Sequence, residues 1–460
     1  MKGLVLCLAK LGDFIQATPL IRDLSLKTNE LYLVAAQNSV AEAARLSGLV
    51  TEVFTIDPRN PEPNLTLPSI GSGPLCNLSM APAALSVLEK IRAQNLKAKV
   101  YGPRLHHGAL SLPIAQEVAL AVLRVNRRYS PFNLVDVWRS LTPKPSPEAK
   151  LYWPLTPKGV KGQERPQERP KVGFILGAGN ARRRWPRENY TALGQKLMEI
   201  HNAQVVLLGD QKERALGKAV SLTFGSETDF VNLVGQTNLA ELAATLSELD
   251  LLIGPDTGGL HLGAAINVPI IGLYFGPALA HETGPYGPNH LVAQTLAPCG
   301  PCPESRPCPE RVCLAIPTVD EVYAAVKRLW VKDNADFDNE ALGIVNPDNR
   351  ASDKQAADKE GPSNEDPGSN LYTTSLDAFG YKLSPMNPIN DPDLLKTEFL
   401  REVARATVDP DYTPLRPERD LDPGDKDFWR ALTERIWPPS APRKLKERFI
   451  EVLGQLRLLP

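Results

Sequence analysis

Short unbroken apolar runs alternate along the first 330 residues with longer stretches in which apolar positions recur every third or fourth residue. The first run, residues 3–8 (GLVLCL), is followed by the loop Ala9-Lys10-Leu11-Gly12-Asp13, a helical pattern through Ile21 and Leu24, and a second run at 31–35. Strand, helix and strand within some thirty residues make a βαβ unit, which requires a parallel sheet. Helical patterns are expected at 81–94 and 112–124, beyond a proline- and glycine-rich loop at 61–74. A polar stretch at 158–170 (KGVKGQERPQERP) interrupts the alternation, which then restarts. Strands are expected at 172–176, 204–208, 230–233, 251–253 and 268–273, with a helix at 187–200 between the first two. The pattern predicts an α/β protein of two Rossmann-like domains facing a cleft, at 1–157 and 171–333, joined by the linker 158–170. Residues 334–391 turn to Asp, Asn, Ser, Pro and Gly and are expected to be a disordered linker. Helical spacing returns at Leu395, Phe399 and Val403, at Phe428, Leu432 and Ile436, and at Leu445, Phe449, Val452 and Leu456. These predict a small helical appendage at 392–460.

Composition narrows the function more than the fold. The 460 residues hold 52 basic and 53 acidic side chains, so no global field draws the chain to nucleic acid. No apolar run reaches the ~18 residues of a membrane span. The opening MKGLVLCLAK is shorter than a secretory signal and has no cleavage site, so it reads as a first strand and the expected compartment is the cytoplasm. The 43 prolines are nearly twice ordinary usage, which is about 5%; many lie in loops and in the last third.

Three segments carry candidate chemistry. In 253–261 (IGPDTGGLH) a buried strand ends in glycine and proline and a helix begins. Amides at such a helix start, with Thr257, Gly258 and Gly259 letting a phosphate come close, form an anion site; an ordinary βα turn with Asp256 as a cap is the plainer alternative. Arg182, Arg183 and Arg184 follow a loop containing Gly177 and Gly179, which reads either as a phosphate-binding cluster or as a solvated surface. Cys299, Cys302, Cys308 and Cys313 have C-x2-C-x5-C-x4-C spacing. That suits a tetrahedral thiolate site for zinc or iron, with disulfides or free thiols as alternatives.

The segments LAKLGDFIQATPLIRDL, GAGNARRRWPRENY, LGDQKE, PDTGGLHLGAA and FGPALAHETGPYGPNH together resemble, in order and spacing, the heptosyltransferase family, glycosyltransferase family 9, over roughly residues 1–330. The resemblance implies a GT-B fold, a nucleotide-diphosphate sugar donor with ADP-heptose expected, and inverting transfer to a surface glycan, lipopolysaccharide core or protein. It implies Asp13, after Gly12, as the general base, where the plain alternative is a helix cap. The family's lysine two residues before the tryptophan is replaced here by Arg183, so the leaving-group contact changes geometry. Gly12, Gly177, Gly179, Arg182, Asp256, Thr257, Gly258, Gly259 and His261 would then hold the donor, with no catalytic metal required. A cysteine-rich loop at this place resembles one in part of the family, including iron-binding members. Arg124, Arg127 and Arg128 could meet acceptor phosphates or anionic lipid at the inner membrane face, or simply solvate a helix end. The loops at 65–74 and 101–107 carry no decodable acceptor pattern. A sugar-nucleotide epimerase of the same fold, or a non-catalytic scaffold working through its cysteines and tail, are the rival functions.

Overall fold

The computed structural model describes residues 1–57, 67–113, 116, 132–142, 149–154, 169–224, 229–295, 297, 299–303, 307–309, 311–315, 317–331, 369–377, 380–385, 401, 403 and 443–455. The chain divides into two compact units. One comprises Met1–Pro154, Leu376–Tyr381 and Asp391–Pro460; the other comprises Leu155–Ser375 and Lys382–Asn390.

The first unit is built on a five-stranded parallel sheet. Its strands are β1 (Lys2–Cys7), β2 (Glu30–Ala35), β3 (Glu52–Thr55), β4 (Pro74–Asn77) and β5 (Lys99–Tyr101), in the spatial order β3-β2-β1-β4-β5. Helices α1 (Leu11–Lys27), α2 (Asn38–Ser47) and α3 (Pro82–Gln94) follow β1, β2 and β4. Leu4, Leu6, Val34, Leu75, Val87, Leu88 and Ile91 form its core. Only β1 and β2 have the length and apolar continuity to be read from sequence. The strands β3, β4 and β5 are three or four residues long, and a hairpin of β6 (Arg104–His106) and β7 (Ala109–Ser111) follows them. The helix expected at 112–124 falls almost wholly outside the described residues, as do Arg124, Arg127 and Arg128. A short helix α4 (Leu134–Arg139) starts with Asn133, whose side chain accepts from the Val135 amide at 3.0 Å.

The second unit carries an eight-stranded sheet ordered β10-β9-β8-β11-β12-β13-β14-β15. These strands are β8 (Lys171–Ile175), β9 (Gln204–Leu208), β10 (Phe230–Asn232), β11 (Leu251–Pro255), β12 (Ile270–Tyr274), β13 (Leu291–Thr295), β14 (Ser369–Asp377) and β15 (Gly380–Pro385). From β10 to β13 every neighbouring pair is parallel. Taken in chain order this is the doubly wound arrangement 3-2-1-4-5-6, whose order reverses between β8 and β11. Helices α5 (Arg187–His201), α6 (Arg214–Ser221), α7 (Leu239–Ser247), α8 (Gly258–Ala265), α9 (Ala280–Thr283) and α10 (Val319–Val331) occupy the connections and follow the sheet. β8, β11 and β12 are buried on both faces, as parallel strands covered by helices must be, which explains their continuous apolar runs.

Residues 334–391, expected as a disordered linker, are corrected in part: 369–377 form β14, antiparallel to β13, with Val292 opposite Tyr372 and Thr295 opposite Ser369. The physical reason is local. SNLYTTSLD is rich in Tyr, Thr and Leu, good strand formers, but composition averaged over the whole segment hides so short a run. His290 anchors the seam, since its amide donates to Thr374 Oγ1 at 3.0 Å and its carbonyl accepts from the Thr374 amide at 2.9 Å. Burial pushes its imidazole down to about 4, and Nδ1 has no hydrogen-bond partner among the described residues. The unfolded chain therefore takes up this proton near pH 6.5 and the folded chain only near pH 4. Stability is expected to fall as pH drops through that window. His290→Gln should flatten this part of a thermal-melt pH profile; an unchanged slope in the variant would show that other groups set it.

In the tail, α11 (Arg443–Gln455) is helical with Phe449 and Val452 buried. The helices expected around 395–403 and 428–436 lie outside the described residues, apart from helical positions 401 and 403.

Candidate functional site

The loops after β8 and β11 leave the sheet on either side of the strand-order reversal, where α/β proteins place their ligands. After β8, Asn180 accepts from the Arg182 amide at 3.0 Å and starts a single 3-10 turn, Ala181–Arg183. Two aromatic side chains hold this loop down. Trp185, fully buried, donates from Nε1 to the Pro317 carbonyl at 2.8 Å, and Tyr190 donates from its hydroxyl to the Ile175 carbonyl at 2.7 Å. After β11, Asp256 precedes Thr257, whose hydroxyl caps α8 by accepting from the Leu260 amide at 3.4 Å. Gly254 allows β11 to lie against β8, because a Cβ there would stand 2.7 Å from Ile175 Cβ.

The two loops meet at Asp256. Arg183 donates from Nη1 to Asp256 Oδ2 at 2.9 Å, and His261 Nε2 lies 3.3 Å from Oδ1. Burial alone would raise the Asp256 carboxyl. The His261 hydrogen bond and charge, then the Arg183 charge and the Thr283 side chain, outweigh burial and hold it below the usual carboxylate range. Asp256 is thus an anion at neutral pH, clamped between a guanidinium and an imidazole one helical turn along α8. The arrangement sets an ion-paired guanidinium beside a helix N-terminus, whose free amides suit a phosphate.

The arginine triplet is not one cluster. Arg182 turns to the cysteine segment and donates to Cys302 Sγ at 3.4 Å and to the Pro303 carbonyl at 3.0 Å. Arg184 donates to the Ala178 carbonyl and, at 3.2 Å, to Glu213 Oε1. Gly177 is forced by this third partner, since a Cβ on it would fall 2.4 Å from Glu213 Cδ, and Gly179 leaves room for Arg183. Glu213 and Asp210 form an acidic pair at the turn after β9, with the Asp210 amide donating to Glu213 Oε2 at 3.0 Å. Burial and then the bond to Asp210 push the Glu213 carboxyl up, while that bond holds Asp210 down. Neither acid stood out in the sequence, although the LGDQKE turn that carries them did.

The four thiols gather without forming a coordination shell. Cys302 and Cys313 sulfurs lie 3.5 and 3.6 Å from the position a Cβ on Gly276 would take. The Cys313 thiol is pushed up by burial and then by Cys302, Cys299 and Cys308. Among the described residues, no three His, Cys, Asp or Glu side chains are arranged to hold a metal ion. Cys302 shares its sulfur with Arg182 and Cys299 is exposed, so the tetrahedron expected from the spacing is not formed in this structure.

Asp13 belongs to the first unit. It occupies the first turn of α1, after β1 and Gly12, and its Oδ2 accepts from the Lys10 amide at 3.0 Å. The helix-cap geometry is therefore present.

Two Rossmann-like units, one bearing a cationic turn and a glycine-led helix where its strand order reverses, define the GT-B class of glycosyltransferase folds. Residues 107–311 match the sequence model of glycosyltransferase family 9 (heptosyltransferase). It is 36% identical over 133 residues to the lipooligosaccharide heptosyltransferase 2 of Haemophilus influenzae, an alignment covering 28% of this chain and 38% of that one. It is 33% identical over 125 residues to the lipopolysaccharide heptosyltransferase 2 of Escherichia coli strain K12, covering 25% and 35%. These alignments span little more than a third of the curated relatives. In fold the chain is similar to a family 9 glycosyl transferase from Veillonella parvula, with a TM-score of 0.51 and 16% identity, covering 72% of this chain and 97% of that one. It is also similar to E. coli heptosyltransferase WaaC with ADP, with a TM-score of 0.50 and 17% identity, covering 72% and 100%. Among the described residues no helix is long and apolar enough to cross a membrane.

Proposed function

We propose that the protein is an inverting glycosyltransferase that moves heptose from ADP-heptose to a surface glycan, a lipopolysaccharide core or a protein acceptor. The observation that carries this reading is the convergence of Arg183, His261 and the α8 N-terminus on Asp256 at the strand-order reversal. Asp13 takes the proton of the acceptor hydroxyl as its oxygen bonds to the anomeric carbon. The bond from that carbon to the diphosphate breaks on the opposite face, and the electron pair leaves on the phosphate oxygen. Arg183 and the α8 amides neutralise the departing charge, with Asp256 fixing the guanidinium in place. The reaction runs in the cytoplasm, with the acceptor presented at the inner membrane face. Titration of the protein with ADP, UDP and GDP tests the donor assignment. ADP is expected to bind with the highest affinity, and a preference for UDP or GDP would replace it.

The cysteine segment completes the proposal as a structural metal site. The mutual proximity of Cys302, Cys299 and Cys308 to Cys313, felt by its thiol, supports it. Bound zinc or iron would hold the segment as a cross-link and takes no part in the transfer. Anaerobically purified protein is expected to carry near one equivalent of metal, and Cys308→Ser to lose most of it. Metal-free protein with four titratable thiols would remove the ion from the proposal.

A further inference from the structure

Arg182 is joined to the cysteine segment through both its side chain and its backbone. Its guanidinium, in a residue only 8% exposed, bonds Cys302 Sγ and the Pro303 carbonyl. Its own carbonyl lies 3.5 Å from the point where a Cβ on Gly276 would sit, the same point that the Cys302 and Cys313 sulfurs approach. The Cys302 amide donates to the Gly276 carbonyl at 3.4 Å. On the other flank the Arg182 amide is tied to Asn180, so the whole 3-10 turn is pinned between β8 and residues 302–303. The next residue on that turn is Arg183, whose bond to Asp256 builds the phosphate site.

We propose that Arg182 is a positioning residue through which the cysteine segment sets the place of Arg183, so that the chemical state of Cys302 and the occupancy of the donor site are coupled. The proposal rests on the donor reading above. The guanidinium–sulfur bond is lost when the sulfur is alkylated or replaced. That change alters the pull on a one-turn element that has no length in which to absorb it. Linkage makes the coupling reciprocal: whatever Cys302 does to donor affinity, donor does to Cys302 by the same factor.

A double-mutant cycle on the full chain, read as ADP affinity by calorimetry, tests this. Arg182→Gln and Cys302→Ser are each expected to weaken ADP binding by about five-fold, the size of one hydrogen bond's net contribution. The double variant should be no weaker than the weaker single one. In parallel, ADP should change the rate at which iodoacetamide labels Cys302, followed by peptide mass spectrometry, and Arg182→Gln should abolish that dependence. A merely structural role would leave labelling independent of ADP. Additive losses in the cycle, or ADP-dependent labelling that survives in Arg182→Gln, overturn the coupling and leave the donor reading intact. A wild-type protein that binds no ADP overturns both. If Arg182→Gln does not fold, Arg182→Lys, which keeps the charge but not the two-pronged contact, takes its place with the same expected non-additivity.

Discussion

Replacing Asp13 by Asn is expected to lower turnover by about 10²-fold or more while leaving ADP affinity little changed. The substitution separates two roles the carboxylate can play. As a cap, Asp13 needs only an oxygen acceptor for the Lys10 amide, and the Asn carbonyl oxygen supplies one at the same position. As a base, it needs an oxygen that can take a proton, which an amide does not offer at neutral pH. The helix start, and with it the thermal melting point, should therefore survive. The negative charge also reaches the chain beneath: after burial, it is what pushes the Cys7 thiol up to about 12. Asp13→Asn removes that contribution and leaves a buried thiol that stays neutral, so Cys7 chemistry does not confuse the result. Near-normal turnover in this variant would leave Asp13 as a cap and overturn the assigned mechanism.

Arg183→Ala should weaken ADP binding and turnover together, by roughly 1.5–3 kcal/mol, the usual worth of a hydrogen bond to a charged group. Two losses combine. The phosphate loses a guanidinium, and Asp256 loses a partner that helps hold its buried carboxyl ionised. Arg183 and Asp256 side chains are only 15% and 10% exposed, so water replaces the lost contact poorly. Arg183→Lys separates the two, since an ammonium at this position restores charge but reaches Asp256 and a phosphate with a single point rather than a fork. Recovery of most of the affinity with lysine would mark charge as the working property; no recovery would mark the fork geometry. Equal ADP binding by Arg183→Ala and wild type would move the role out of this side chain.

The frame of the second unit was legible because its strands are long, apolar and covered on both faces. The expected run at 204–208 coincides with β9, and those at 172–176 and 251–253 overlap β8 and β11. The first unit was half-legible: β3 to β5 are too short for periodicity to speak, and β4 emerges from a proline- and glycine-rich stretch that reads as loop. In the site, loop chemistry and its spacing marked Asp256, His261 and the arginines, but not the directions of the arginines. Successive residues on a 3-10 turn point about 120° apart. Arg182 and Arg183 accordingly face Cys302 and Asp256, and Arg184, extended just past the turn, faces Glu213, a divergence no adjacency in sequence reveals. Glu213 was missed for a related reason, since an acid in a turn announces solvent, and only the glycine opposite it hints at burial.

The strand at 369–377 gives the chain beyond residue 333 a task unrelated to its composition. β13 would otherwise end the sheet as an open edge, a row of unpaired amides and carbonyls on apolar residues such as Leu291, Val292 and Ala293. β14 hides that edge, and it arrives from a part of the sequence that a domain boundary drawn by homology would discard. A protein shortened to end at 333 would keep every residue of the proposed donor site and still expose a self-complementary template. Self-association of such a truncated form, relieved by extending the chain through 385, is the cost that trimming this protein to its first 333 residues carries.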